Sequence, residues 1–111
     1  MKRAQQITTS TFADEVLERK GLVMVEFYAD WCPNCREMKP VLDQVAEEFD
    51  GRARILKVNV DEEPTLVSLL CILAVPTIAV FRDGEVVDGI VGAVPEEVLR
   101  DKLQGLGMRS N

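Results

Sequence analysis

Leu22–Ala29 (LVMVEFYA) is a nearly unbroken apolar run rich in β-formers, the pattern of a strand covered on both faces. Arg54–Val60 (RILKVNV) repeats the pattern and predicts a second buried strand. Between them the period changes. Met38, Val41, Leu42, Val45, Ala46 and Phe49 recur at helical spacing and predict a helix from about Pro33 to Phe49. Pro40 lies inside that helix and is expected to kink it. Ahead of the first strand, Gln5–Thr8 suggests a shorter one. The polar stretch from Thr8 to Thr11 then offers N-caps for a helix starting at Ser10 or Thr11. Phe12, Val16 and Leu17 lie towards one face of it, and Gly21 is expected to close it. Further on, Pro64–Leu70 predicts a short helix, and Thr77–Phe81 and Val86–Val91 predict two strands joined by the Asp83-Gly84 turn signal. A last helix starts near Pro95, with Glu96 and Glu97 in its first turn and Arg100 and Lys102 later, an order that suits the helix dipole. The order β-α-β-α-β-α-β-β-α mixes parallel crossovers with a terminal hairpin. It predicts an α/β fold with a mixed central β-sheet and helices on both faces.

No repeat, low-complexity tract or linker interrupts this pattern, so residues 1–111 are expected to form one domain. A chain of this length buries roughly two-thirds of its unfolded surface, enough for a core without disulfide staples or a structural metal. Hydrophobic residues at 47% and charged residues at 29% are globular values. The net charge of -6 draws the molecule to neither nucleic acid nor an anionic membrane surface. Two early cations precede no apolar signal region, and no apolar run approaches the ~18 residues of a membrane span. A monomer in a reducing cytoplasm is the expected setting. The absence of His removes the commonest metal ligand and the commonest general base, and three Cys are too few for a secreted disulfide framework.

Chemistry therefore falls to Trp31-Cys32-Pro33-Asn34-Cys35, directly after a buried strand and opening a helix. Two sulfurs at this spacing on a helical first turn can close into a small disulfide with little backbone movement. Cys32 sits near the N-cap, where free amide N–H groups and the helix dipole favour an anion, and is expected to be the attacking thiolate. Cys35, a turn inward, is placed to resolve a mixed disulfide. Half of a zinc site is the competing reading, but four ligands are needed, and Cys71 would be a third at best. Two incidental buried cysteines are the other, since free Cys often behaves as a small hydrophobe. No cofactor or metal is expected beyond the Cys32–Cys35 dithiol.

At this point the chain resembles the thioredoxin family over essentially its whole length. EFYADWCPNCREMKPVLDQVAEEF resembles the family's strand, active site and kinked helix. KVNVDEEP resembles its next strand and turn, VPTIAVFRDGE its cis-proline segment and hairpin, and VGAVPEEVL its glycine and last helix. The resemblance implies the thioredoxin fold, dithiol–disulfide exchange, and Pro76 in cis facing Cys32, where an isolated X–Pro bond would be trans by default. It also implies that the Val75 backbone pairs with an extended peptide substrate by strand addition. Gly92 matches the glycine that flanks the substrate groove, and a turn requirement there is compatible with it.

Glu26 is the only charge within LVMVEFYA, and burial should raise its pKa into the range of a proton carrier near neutrality. It matches the family's buried acid, usually Asp, and Lys57 matches the lysine near it. We expect Glu26 to help deprotonate Cys35 with Lys57 tuning it; a Glu–Lys pair that serves only folding is the alternative. Pro33-Asn34 departs from the family's usual Gly-Pro. Proline suits the first helical position, and the swap should restore an N–H at residue 34 among those facing Cys32, which suggests a more oxidising couple. Pro33 could equally strain the closed disulfide, with the same effect on potential. Trp31 is expected to cover a partner rather than merely cap the site. Arg36 either favours the thiolate or is an exposed helix cation. Cys71 is expected to pack as a small apolar residue, with an exposed regulatory thiol as the alternative. Its neighbours Leu69, Leu70, Ile72 and Leu73 are expected in the core by default, with part of them a docking surface otherwise.

These readings converge on a thiol–disulfide oxidoreductase that reduces protein disulfides. Its partners would be disulfide-containing proteins and a separate reductase-like electron donor, since no dinucleotide-binding fingerprint is present. A more oxidising oxidase- or isomerase-like variant, or a non-catalytic binding module, are the alternatives.

Overall fold

The computed structural model describes residues 3–107, so the ends of the expected 1–111 domain lie outside the described residues. Its elements are β1 (Gln5–Gln6), α1 (Thr9–Phe12), β2 (Leu22–Tyr28), α2 (Pro33–Glu48), β3 (Ala53–Asn59), α3 (Pro64–Leu69), β4 (Thr77–Arg82), β5 (Glu85–Val91) and α4 (Glu96–Gly107). The five strands form one sheet in the order β1-β3-β2-β4-β5. β3 runs parallel to β2 and β1, whereas β4 and β5 are antiparallel additions, so the sheet is mixed as expected.

β2 occupies the middle, which is why its sequence is apolar on both sides. Its alternation sorts two cores. Met24, with Ile55, Ile78 and Val80 from the neighbouring strands, packs under α2 and α4 through Met38, Leu42, Leu99 and Leu103. Val23, Val25 and Phe27 face the other way and meet Phe12, Val16, Leu66 and Phe81. Glu26 shares the parity of Met24 and therefore lies on the α2 side of the sheet.

The first helix differs from the sequence reading. It starts at Thr9, with Thr8 as N-cap, and its four α-helical residues run into a π-helical turn over Ala13–Leu17. The Thr8 N–H donates to Thr11 Oγ1 at 3.1 Å, which fixes the start earlier than Ser10. The helical segment ends at Leu17, short of Gly21, which instead turns at φ 85 into β2. The expected Cys71 packing is also overturned: Cys71 is exposed and follows α3 at φ 56. Its backbone takes the left-handed conformation that commonly follows the end of a helix, and its side chain lies on the surface there. Leu69 and Leu73, at 72% and 95% exposure, lie outside the core as well. Leu70 and Ile72 are half-buried against the α1-side core.

Gly84 makes the β4–β5 turn possible. At φ 87 it carries a conformation that L-residues avoid, and a Cβ there would lie 2.1 Å from the Leu17 carbonyl oxygen. Gly84→Ala is therefore expected to cost at least about 2 kcal/mol, read as a fall in the thermal midpoint of roughly 8 °C or more. An unchanged midpoint would contradict this close approach.

Candidate active site

β2 ends at Tyr28, and the chain turns through Ala29 and Trp31 into α2, whose N-cap is Cys32. Pro33 takes the first helical position, where its missing N–H costs nothing. The Cys32 sulfur then does what a capping side chain does: Sγ accepts the Cys35 N–H at 3.2 Å. That is the third helical amide, the usual partner of an N-cap acceptor. The Asn34 amide expected to face the sulfur is one residue too early, and Asn34 itself is exposed. The Arg36 guanidinium donates to the Asp30 carbonyl at 2.8 Å, bracing the loop.

Cys32 and Cys35 are both free thiols, buried at 4% and 5% exposure, and they pack with Ala29 against Tyr28, Val60 and Val75. The Cys32 thiol faces the Val75 carbonyl at 3.8 Å, a weak S–H···O contact. The Val75–Pro76 bond is cis, Pro76 is buried, and the Gly92 N–H donates to the Pro76 carbonyl at 2.8 Å. Residues far apart in sequence thus meet on one side of Cys32.

Glu26 is 2% exposed, and β2–β3 register sets Lys57 beside it. Burial pushes the Glu26 carboxyl up from its ordinary 4.5 to about 7, partly opposed by the Lys57 charge. Its Oε2 has no hydrogen-bond partner among the described residues. The Lys57 ammonium stands 5.6 Å from the centre of the Tyr28 ring, a cation–π contact. A cleft of about 500 Å³ has Glu26, Lys57, Cys35, Asp30 and Lys39 in its walls. Cys35 is a poor acid: burial first, then hydrogen bonding to Cys32, push its thiol up to about 12. Among the described residues, no cluster of three or more His, Cys, Asp or Glu could hold a metal ion.

Two residues at this site escaped the sequence reading. Trp31 is 64% exposed, and its indole N–H donates to Asp61 at 2.9 Å. Asp61 is in turn placed by buried Asn59, whose Oδ1 accepts the Asp61 and Glu62 amides at 2.9 and 3.3 Å. Asn59 is the one polar residue at the end of a buried strand, a signal that was available. Asn59→Ala leaves the Asp61 amide without its acceptor, while the Glu62 N–H keeps the Asn59 carbonyl at 3.1 Å, and is expected to cost about 1–3 kcal/mol in urea unfolding. Trp31 fluorescence should change with it, and an unaltered spectrum and midpoint would refute the tether.

A family model described as Thioredoxin matches residues 3–105. A thioredoxin 1 from Nostoc sp. is 42% identical over 104 residues, covering 94% of this chain and 97% of that protein. A Staphylococcus saprophyticus thioredoxin is 39% identical over 99 residues, covering 89% and 93% of the two chains. Among solved structures, a mutant thioredoxin from Halobacterium salinarum superposes with a TM-score of 0.88 at 33% identity, covering 98% of this chain and 95% of that one.

Proposed function

The chain belongs to the thioredoxin family and is a thiol–disulfide oxidoreductase, and on that premise we propose that it reduces protein disulfides through Cys32 and Cys35. One observation carries the reading: Cys32 Sγ caps α2 by accepting the Cys35 N–H, while Cys35 is held as a protonated thiol. The two sulfurs are thereby differentiated. One receives a helix-terminal N–H, and the other is held protonated until a base takes its proton.

In this proposal Cys32 attacks a substrate S–S bond, forming a mixed disulfide, and the departing substrate thiolate takes a proton. Cys35 then loses its proton and attacks Cys32 Sγ. That releases the second substrate sulfur and leaves a Cys32–Cys35 disulfide, with two electrons passed to the substrate. Mixed-disulfide formation removes the Cys32 hydrogen bond and charge that hold Cys35 up, so the thiol becomes easier to ionise. Glu26 is the proposed acceptor, reached through the shared cleft, and Lys57 limits how far its carboxyl rises. Accepting the proton also removes a negative charge near the new thiolate, which favours the transfer.

Val75, cis-Pro76 and Gly92 form the proposed backbone wall for an extended substrate, and exposed Trp31 the proposed apolar cover. The family implies disulfide-containing proteins as substrates and a separate reductase as electron donor. No helix among the described residues is long and apolar enough to cross a membrane. A single domain over 1–111, acting as a monomer in the cytoplasm without nucleic acid, membrane or cofactor, completes the proposal. The non-catalytic alternative gives way to family membership and the intact dithiol. Insulin reduction with dithiothreitol as donor tests the function: catalysed turnover is expected, and turnover no faster than dithiothreitol alone would overturn it.

A further inference from the structure

We propose that the cleft at the end of the sheet remote from Cys32 binds a small multivalent anion of the pyrophosphate class. This cleft, about 450 Å³, includes the first residues of β2 and β3, Leu22 and Ala53. Cys32 follows the other end of β2, about 20 Å along the strand.

Five of the chain's thirteen Lys and Arg residues line it: Arg3, Arg19, Lys20, Arg52 and Arg54. The molecule as a whole carries -6, so this concentration runs against its overall charge. Arg3, just ahead of β1, and Arg54, on β3, line the same cleft. Like charges at neighbouring positions repel unless an anion lies between them.

Carboxylates in reach do not balance the cluster. Glu15 is shared by Arg54 and by Arg19, the latter at 3.6 Å. Asp50 is the one carboxylate in the lining itself. Asp83 accepts the Gly21 N–H at 2.7 Å. The negative end of α2 also points here, but the Arg52 guanidinium already meets it, donating to the Glu48 carbonyl at 3.0 Å. Neither Arg3 nor Lys20 has an ion pair among the described residues. Five cations thus face three carboxylates, Glu15, Asp50 and Asp83.

The chemistry selects the ligand class. Planar guanidinium forks match phosphate oxygens bidentately, and the excess of positive charge calls for more than one negative charge. The volume suits a small molecule rather than a folded partner.

Isothermal titration of the full chain with inorganic pyrophosphate, at constant ionic strength, tests the site. Saturable one-to-one binding is expected. A combined Arg3→Gln, Lys20→Gln and Arg52→Gln variant should bind about tenfold more weakly or worse. These side chains are outside the core, and an unchanged circular dichroism spectrum would establish that the variant is folded. If folding fails, the single Lys20→Gln variant is expected to show a smaller weakening in the same direction. Non-saturable heats, or affinity untouched in the folded variants, would overturn the proposal.

Discussion

Cys32→Ser is expected to abolish insulin reduction, lowering the rate by at least about a thousandfold, because a serine hydroxyl at this helix terminus remains unionised and leaves poorly. Cys35→Ser is expected to lose turnover too, but at a later step. Its Cys32 still attacks, so the variant should accumulate a stable mixed disulfide with substrate, visible as a covalent adduct under non-reducing conditions. The contrast follows from the geometry. Cys32 Sγ is the acceptor that closes the first turn of α2, and Cys35 is the sulfur that burial holds protonated. Both sites are tightly packed, so each polar substitution should cost on the order of 1 kcal/mol of stability, too little to unfold the domain. Residual turnover in Cys32→Ser, or an adduct on Cys32→Ser instead of Cys35→Ser, would reverse the assignment of roles.

Glu26→Gln should separate a catalytic from a stabilising carboxylate through pH. The native carboxyl titrates at about 7 against an ordinary 4.5, so between these values the folded state holds a proton that the unfolded chain has lost. Stability from this group is fully present below about pH 4.5 and declines as pH rises through 7. An amide does not titrate. Relative to the parent, the Gln variant should therefore gain about 2 kcal/mol between about pH 5 and about pH 8, measured by urea unfolding at each pH. Over the same range its resolving step should slow, by about a hundredfold near neutrality, since general-base transfer to residue 26 is lost. Stability would rise as activity falls. A pH-independent stability difference would mean the carboxyl is ionised throughout, and undiminished release of reduced substrate would remove Glu26 from the proton path.

Much of this was legible because the decisive signals are local. The apolar run of β2, the change of period at Pro33, and a Cys pair opening a helix each sit within one element. Glu26 stood out as the single charge in a buried strand. What the sequence did not show depends on contacts between elements or on backbone conformation. Trp31 meets Asp61 only because buried Asn59 folds the loop after β3 back over the active site. Cys71 looked apolar by residue type, yet it lies on the surface in the left-handed turn after α3. Leu73, two residues before the Val75–Pro76 bond, is exposed as well. The identity of the amide that reaches Cys32 required the cap geometry itself: the restored Asn34 N–H suggested by the Pro33-Asn34 pair is not the one used.

The direction of electron flow is the central claim, and the equilibrium reduction potential of the Cys32–Cys35 couple, measured against glutathione, tests it most directly. A couple more negative than about -220 mV is predicted, so that the dithiol passes electrons to protein disulfides in a reducing compartment. A couple less negative than that would make the disulfide form the donor of oxidising equivalents and contradict the assignment as a reductase.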